Sequence, residues 1–197
     1  MPKPTIPGMP SMQNMLAFTI QSTLVSNWAP SVVVGLGNKS TTFRPQTPVD
    51  DSYWILILDD TNPNNKVKDF VVPGSNNTAV PAGLDQYMSS PQYIFAVVTQ
   101  YLSMLHVPQG DFYDYLAKYG ASRELQRLEQ INSVLSCGSY SRVSYILTGQ
   151  CGPRGTGAVS YEIGSTRNSE LLLMSLMPGS GGKPPYSICN SYTFKTR

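Results

Sequence analysis

The sequence predicts an α+β fold: a mixed β-sheet with two to three helices, extra β-strands and an extended N-terminal arm. Three observations predict it. Short apolar runs rich in Val, Ile and aromatic residues recur along the chain, bounded by Gly, Pro and Asn. Two helical periodicities follow one another after residue 110. The 197 residues suffice for one substantial domain with its own core.

Each element follows from local chemistry. Residues 1–14 are rich in Pro and Met and suit neither helix nor central strand. They read as an extended arm whose apolar groups, with Met15 at its root, are Ile6, Met9, Met12 and Met15; a neighbouring subunit is the expected surface for them. Residues 15–50 form an N-terminal β segment. In it LAFTIQSTLV and SVVVGLG read as strands, and TTFRPQTPVDD reads as a loop. SYWILILDD, from Ser52, is the strongest strand and is apolar enough to be central. TNPNN turns the chain and KVKDFVVP returns it, giving a hairpin.

GSNNTAVPAG is a linker and LDQYMSS a short helix. YIFAVVTQYL is a second buried strand. Asp111 reads as the N-cap of a helix that puts Phe112, Tyr115, Leu116 and Tyr119 on one face and ends at Gly120. ASRELQRLEQINSVLS repeats the pattern with Leu125, Leu128, Ile131 and Leu135. RVSYILTG is the next strand, and a glycine loop over 150–158 closes an α/β core spanning 51–158. Residues 159–197 form a β tail, packed on the core or on a neighbour. In it AVSYEIGS and YSICNSYTFK are strands, and SELLLMSLMPG is strand or short helix.

The central half of the chain resembles the interleukin-like EMT inducer (ILEI) domain family. The resemblance is carried by Arg142-Val143-Ser144-Tyr145 with Gly149 and Gly152 in register, by the helix end LAKYGAS, and by the hairpin YWILILDDTNPNNKVKDFVV. It covers roughly residues 52–155 and implies an ILEI-like β/α sandwich. Members of that family are non-enzymatic: secreted signalling proteins, and modules attached to glycan-processing enzymes. Some bind sugars through the motif arginine and an acidic pair. Arg142 matches the arginine, whereas Gln100 and Tyr101 stand where the acidic pair belongs.

Composition narrows the function classes. Charged residues make up only 13%, about half the usual share. Asn, Ser, Thr, Gln and Tyr carry the polarity instead, which suits extracellular proteins and subunits of large assemblies. A net charge of +2 with no block of Lys or Arg argues against nucleic acid as a partner. No run approaches the length of a membrane span, and the start of the chain does not read as a signal peptide. Cys137, Cys151 and Cys189 form no CxxC and the lone His106 is far from metal-ligand spacing, so neither a metal nor another cofactor is expected. Buried thiols are the favoured reading, with a Cys137–Cys151 disulfide the alternative.

The stretch GQCGPRG lacks the Lys-Ser/Thr ending of a phosphate-binding loop and opens no helix, so it reads as a strand running into a rim loop. Asp59-Asp60 before TNPN reads as turn chemistry rather than acid–base or Ca²⁺ work. His106 has no acidic or serine neighbour along the chain. Tyr113, Tyr115 and Tyr119 suit half-buried helix packing or a glycan face. No catalytic constellation assembles, and no catalytic residue is assigned.

The expectation is therefore a non-enzymatic structural or adaptor subunit acting through protein–protein contacts. A phage or viral virion component (tail, baseplate or capsid-associated) fits best, which would place it in an extracellular particle. The alternative is an extracellular glycan-binding or signalling module of ILEI type, contacting a glycan or protein partner through Arg142, Ser144, Tyr145 and Tyr101. A hydrolase built on Asp59/Asp60 or Cys151 is the third reading.

Overall fold

The computed structural model describes residues 14–36, 38–135, 141–153 and 157–194. The first strands are β1 (Leu16–Gln21), β2 (Ser31–Leu36) and β3 (Lys39–Phe43). Then come β4 (Ser52–Asp59), β5 (Lys66–Pro73), helix α1 (Asp85–Met88), β6 (Tyr93–Gln100) and β7 (Leu102–Ser103). Helices α2 (Gly110–Lys118) and α3 (Arg123–Leu135) follow, and the chain ends with β8 (Arg142–Gln150), β9 (Ser160–Ser165), β10 (Leu171–Pro178) and β11 (Tyr186–Phe194). The fold is α+β, as expected.

Two sheets are stacked. One has the order β11-β10-β1-β2-β3, so the N- and C-terminal β segments pair with each other through β1 and β10. The other has the order β5-β4-β6-β8, with β7 and β9 also paired to β8. Every strand pair is antiparallel, where the sequence reading expected a mixed sheet. Among the described residues, only the isolated bridge between Thr23 and Gln100 runs parallel.

Strand alternation assigns the layers. On β4, Tyr53, Ile55 and Ile57 face a core shared with the helices, where they meet Met88, Phe112, Leu116, Leu125 and Leu128. Trp54, Leu56 and Leu58 face the other sheet, against Phe18, Ile20, Val32 and Leu172. Helices, six-stranded sheet and five-stranded sheet thus form three layers. A strand buried on both faces has no polar side to show, which is why β4 and β6 read as apolar runs; β8 keeps only Tyr145-Ile146-Leu147 uninterrupted and bonds its buried Ser144 and Thr148 instead. Burying each such side chain contributes about 1.5–3 kcal/mol.

The helix face predicted for α2 is buried as expected. Tyr53 meets Phe112 edge to face, with ring centres 5.3 Å apart. The helix begins two residues earlier than expected: Gln109 occupies the N-cap without a side-chain bond, and Asp111 lies inside the first turn. There its charge still complements the helix dipole. β10 resolves the open choice at SELLLMSLMPG, since Leu172, Met174 and Leu176 alternate inward. The first three residues of the expected loop, Thr41 to Phe43, belong instead to β3. Its mostly polar, exposed KSTTF pairs only with β2 and forms the sheet edge, where no apolar face is needed.

Candidate functional site

One pole of the sandwich gathers the loops after β1, before β4, after β6 and before β10. Backbone bonds tie them together. Thr23 N donates to Thr99 O at 3.3 Å, and Tyr101 N donates to Thr23 O at 2.8 Å. Leu24 N donates to Ser169 Oγ at 2.9 Å. The Asp50 carboxylate holds the loop after β1 by accepting from Ser26 Oγ and, at 2.9 Å, from Asn27 N.

Asp51 does the same for two further loops. Its carboxylate accepts from Ser103 N at 2.8 Å and lies 2.7 Å from His106 Nδ1. Its carbonyl accepts from Gly74 N at 2.6 Å. A Cβ at Gly74 would stand 2.7 Å from Asp51 Oδ1 and 2.9 Å from His106 Nδ1, so only glycine fits between them. His106 therefore has the acidic partner that its sequence neighbours do not supply. The chain brings Asp51 to it because both lie at the pole, at the start of β4 and just beyond β7.

Arg142 and Tyr101, two of the residues singled out from sequence, do come together. The guanidinium carbon of Arg142 lies 4.4 Å from the Tyr101 ring centre, a cation–π stack. Tyr101 adopts φ 46°, which breaks β6 from β7 and turns the ring to the pole. The other two residues of that set are interior, which corrects their reading as contact residues. Ser144 is fully buried, its hydroxyl close to Ser22 Oγ and accepting from Glu170 N at 2.8 Å. Tyr145 is buried under the helices, and its hydroxyl donates to Glu162 Oε2 at 3.0 Å. Both follow from their place on β8, where they pair with β9 on one side and Tyr145 N donates to Thr99 Oγ1 of β6 on the other.

The sequence reading missed the most exposed feature of the pole. Trp28 is 67% exposed. It borders an open groove of about 540 Å³ together with Gln21, Val25, Arg44, Pro48 and Ser169. The signal available was a tryptophan in the loop-like segment SNWAPS, since a large ring outside any periodic pattern has no core position to fill. Val25, Trp28, Val49 and Leu105 all sit at this pole. They are four of the eight large apolar side chains that are exposed among the described residues.

The reactive groups elsewhere are quiet. Cys151 is free and buried, and burial pushes its thiol far above the ordinary range, with the nearby Asp60 charge adding to it. A thiol held protonated is a poor nucleophile. Cys189 is also free and is raised by burial; Cys137 lies outside the described residues. Asp59 accepts from Thr61 N at 2.8 Å and Thr61 Oγ1 at 2.7 Å. Those bonds hold its carboxyl below the ordinary value, while burial and then the Asp59 charge raise Asp60. The Asp59 bonds are those of the expected turn.

The stretch GQCG continues β8 into a rim. Cys151 N donates to Tyr93 O and Gly152 N to Met88 O, each at 2.8 Å, so neither amide points at an anion. Among the described residues, no group of three or more His, Cys, Asp and Glu side chains is placed to hold a metal ion. No helix among them is long and apolar enough to cross a membrane. Tyr115 and Tyr119 are packing residues, while Tyr113 lines a groove between α2 and α3 with Gln126 and Glu129. Of the arm set, Ile6, Met9 and Met12 lie outside the described residues, and Met15 is half-buried at the root of β1.

No protein-family model matches the chain, and no curated protein matches it.

Proposed function

We propose that this chain is a non-enzymatic structural or adaptor subunit of a large assembly, gripping a protein partner with the Trp28–Arg142 pole. The observation that carries the reading is the concentration of exposed Val25, Trp28, Val49 and Leu105 at the one pole that also holds Arg142, Tyr101 and His106. A mixed apolar and charged surface, with aromatic and arginine side chains at its centre, is the composition of a protein-binding patch. The backbone bonds that cross-link four loops keep this surface in one shape, so little ordering cost falls on binding.

A virion is the assembly that the composition supports best. The low share of charge and the Pro/Met-rich start of the chain suit a subunit packed among others. The resemblance of residues 52–155 to the ILEI domain supports binding over catalysis in the same direction.

The test uses the cell that produces the chain. Its large particles are separated by sedimentation and probed for the wild-type chain and for Leu105→Asp. The reading expects the wild-type chain in a multi-subunit particle and the folded variant outside it. A wild-type chain that is absent from every large particle would overturn it.

A further inference from the structure

The groove at Trp28 and the sequence of the arm are complementary. Trp28 presents its indole at the groove, Pro48 forms part of the wall, and the exposed Gln21 and Arg44 bring amide and guanidinium donors to it. Residues 4–10 read PTIPGMP, with a proline at every third position. That spacing favours polyproline II, whose three-residue turn stacks the prolines on one side and leaves each carbonyl free to accept a bond. Aromatic-lined grooves recognise such segments by packing proline rings on an indole while polar side chains bond the carbonyls.

We infer that residues 4–10 of a second copy of this chain dock in the Trp28 groove. The inference rests on the assembly-subunit reading and names the partner at that pole.

Chain reach selects a second copy over the chain's own arm. The arm joins the fold at Asn14, whose side chain donates to Gly182 O at 2.9 Å, beside the start of β1. The groove lies past the other end of β1, at Gln21 and beyond. Asn14 and Gln21 are seven residues apart, six of β1 among them, which along extended chain is about 24 Å. Pro10 is four residues from Asn14, and four residues reach at most about 14 Å. The chain's own Pro4, Pro7 and Pro10 therefore cannot lie across its own groove together. Because arm root and groove occupy opposite poles, the contact joins the head of one copy to the tail of the next. Two antiparallel copies that exchange arms close as a pair, and copies that face the same way build rings or open chains.

The experiment uses the full chain in three forms: wild type, Trp28→Ala, and an arm variant with Pro4→Ala, Pro7→Ala and Pro10→Ala. Trp28 is exposed and the arm precedes β1, so both variants should fold, which circular dichroism checks. Light scattering across a wide concentration range should show the wild-type mass rising above that of one chain. Each variant alone should associate about tenfold more weakly or worse. The two variants mixed should form a pair, since one keeps its arm and the other its groove. A wild type that remains a single chain at every concentration overturns the inference, and so does a Trp28→Ala chain that associates like wild type. If the wild-type chain sediments in a large particle in its own cell yet stays single when pure, this inference fails while the assembly-subunit reading stands.

Discussion

The Tyr145 hydroxyl on β8 donates to Glu162 Oε2 on β9 at 3.0 Å, and the same carboxylate closes the start of α3. Glu162 Oε1 accepts from Ser122 N, Ser122 Oγ and Glu124 N, and Oε2 accepts from Leu125 N at 3.4 Å. A residue about 40 positions distant in sequence thus performs the work of an N-cap side chain and pins the helix layer to the sheet. Replacing Glu162 by Ala removes a charged acceptor and orphans a buried hydroxyl. We expect a loss of about 2–4 kcal/mol, read as a lower urea midpoint at unchanged slope. Glu162→Gln should lose less, because its one carbonyl oxygen still accepts. A loss below about 0.5 kcal/mol, the size of an ordinary surface change, would show that the cap carries no weight.

Tyr53 and Tyr145 contribute to the alkaline limit, alongside Tyr115 and Tyr119, whose hydroxyls burial also raises. Burial raises the Tyr53 and Tyr145 hydroxyls well above their ordinary value; the Asp51 charge adds to the first and the Glu162 charge to the second. Raised groups stay protonated in the fold while the unfolded chain loses its protons. Their contribution is therefore complete below about pH 10, the ordinary tyrosine value, and is lost as pH rises beyond it. Unfolding free energy should be flat between pH 7 and 9 as far as these groups decide it, then fall steeply. Tyr145→Phe should make the alkaline fall shallower by about one proton's worth of slope, at some cost in stability near neutrality. An unchanged slope would assign alkaline unfolding to other groups.

The parts of the fold that were legible in the sequence share one property: their burial is local and periodic. β4 and β6 are covered on both faces and therefore read as nearly continuous apolar runs, and β8 shows a shorter one at Tyr145-Ile146-Leu147. The α2 face showed because Phe112, Tyr115, Leu116 and Tyr119 recur at helical spacing. β3 carries no such pattern, since an edge strand with polar side chains looks like a loop until its partner is known. The pole was harder still. His106 and Asp51 are 55 residues apart, and nothing near either residue names the other. Ser144 and Tyr145 follow Arg142 in the Arg-x-Ser-aromatic pattern of the resemblance, which offers all three as contact residues. The strand then runs inward, and two residues suffice to pass from rim to core.

Cys151 distinguishes a buried packing thiol from a catalytic one. Its sulfur lies 4.0 Å from Met88 Sδ, and the thiol is held protonated chiefly by burial. Iodoacetamide at pH 8 should leave it unmodified in the folded chain and alkylate it once urea unfolds the protein, as mass spectrometry would show. Cys151→Ala should cost about 1–2 kcal/mol through the lost packing. Rapid alkylation in the native state would return the thiol to the list of functional groups.

Gly74 decides whether the pole is a rigid surface. Its amide donates to Asp51 O, and the atoms nearest an added Cβ are Asp51 Oδ1, Asp51 O and His106 Nδ1, all within 2.9 Å. Asp51 itself holds a φ of 57°, a conformation that only surrounding bonds keep populated. Alanine at position 74 must therefore push Asp51 off His106 and Ser103 or move the loop after β5. Either change loosens three loops at once. We expect Gly74→Ala to cost about 1–3 kcal/mol and to speed amide hydrogen exchange at residues 101–107 and 50–52. The β10–β11 end of the sandwich should be unaffected. Partner binding should weaken alongside, because a patch that has lost its shape must be ordered again on contact. Uniformly faster exchange over the whole chain would mean that the substitution acts on global stability and that the pole is no separate unit.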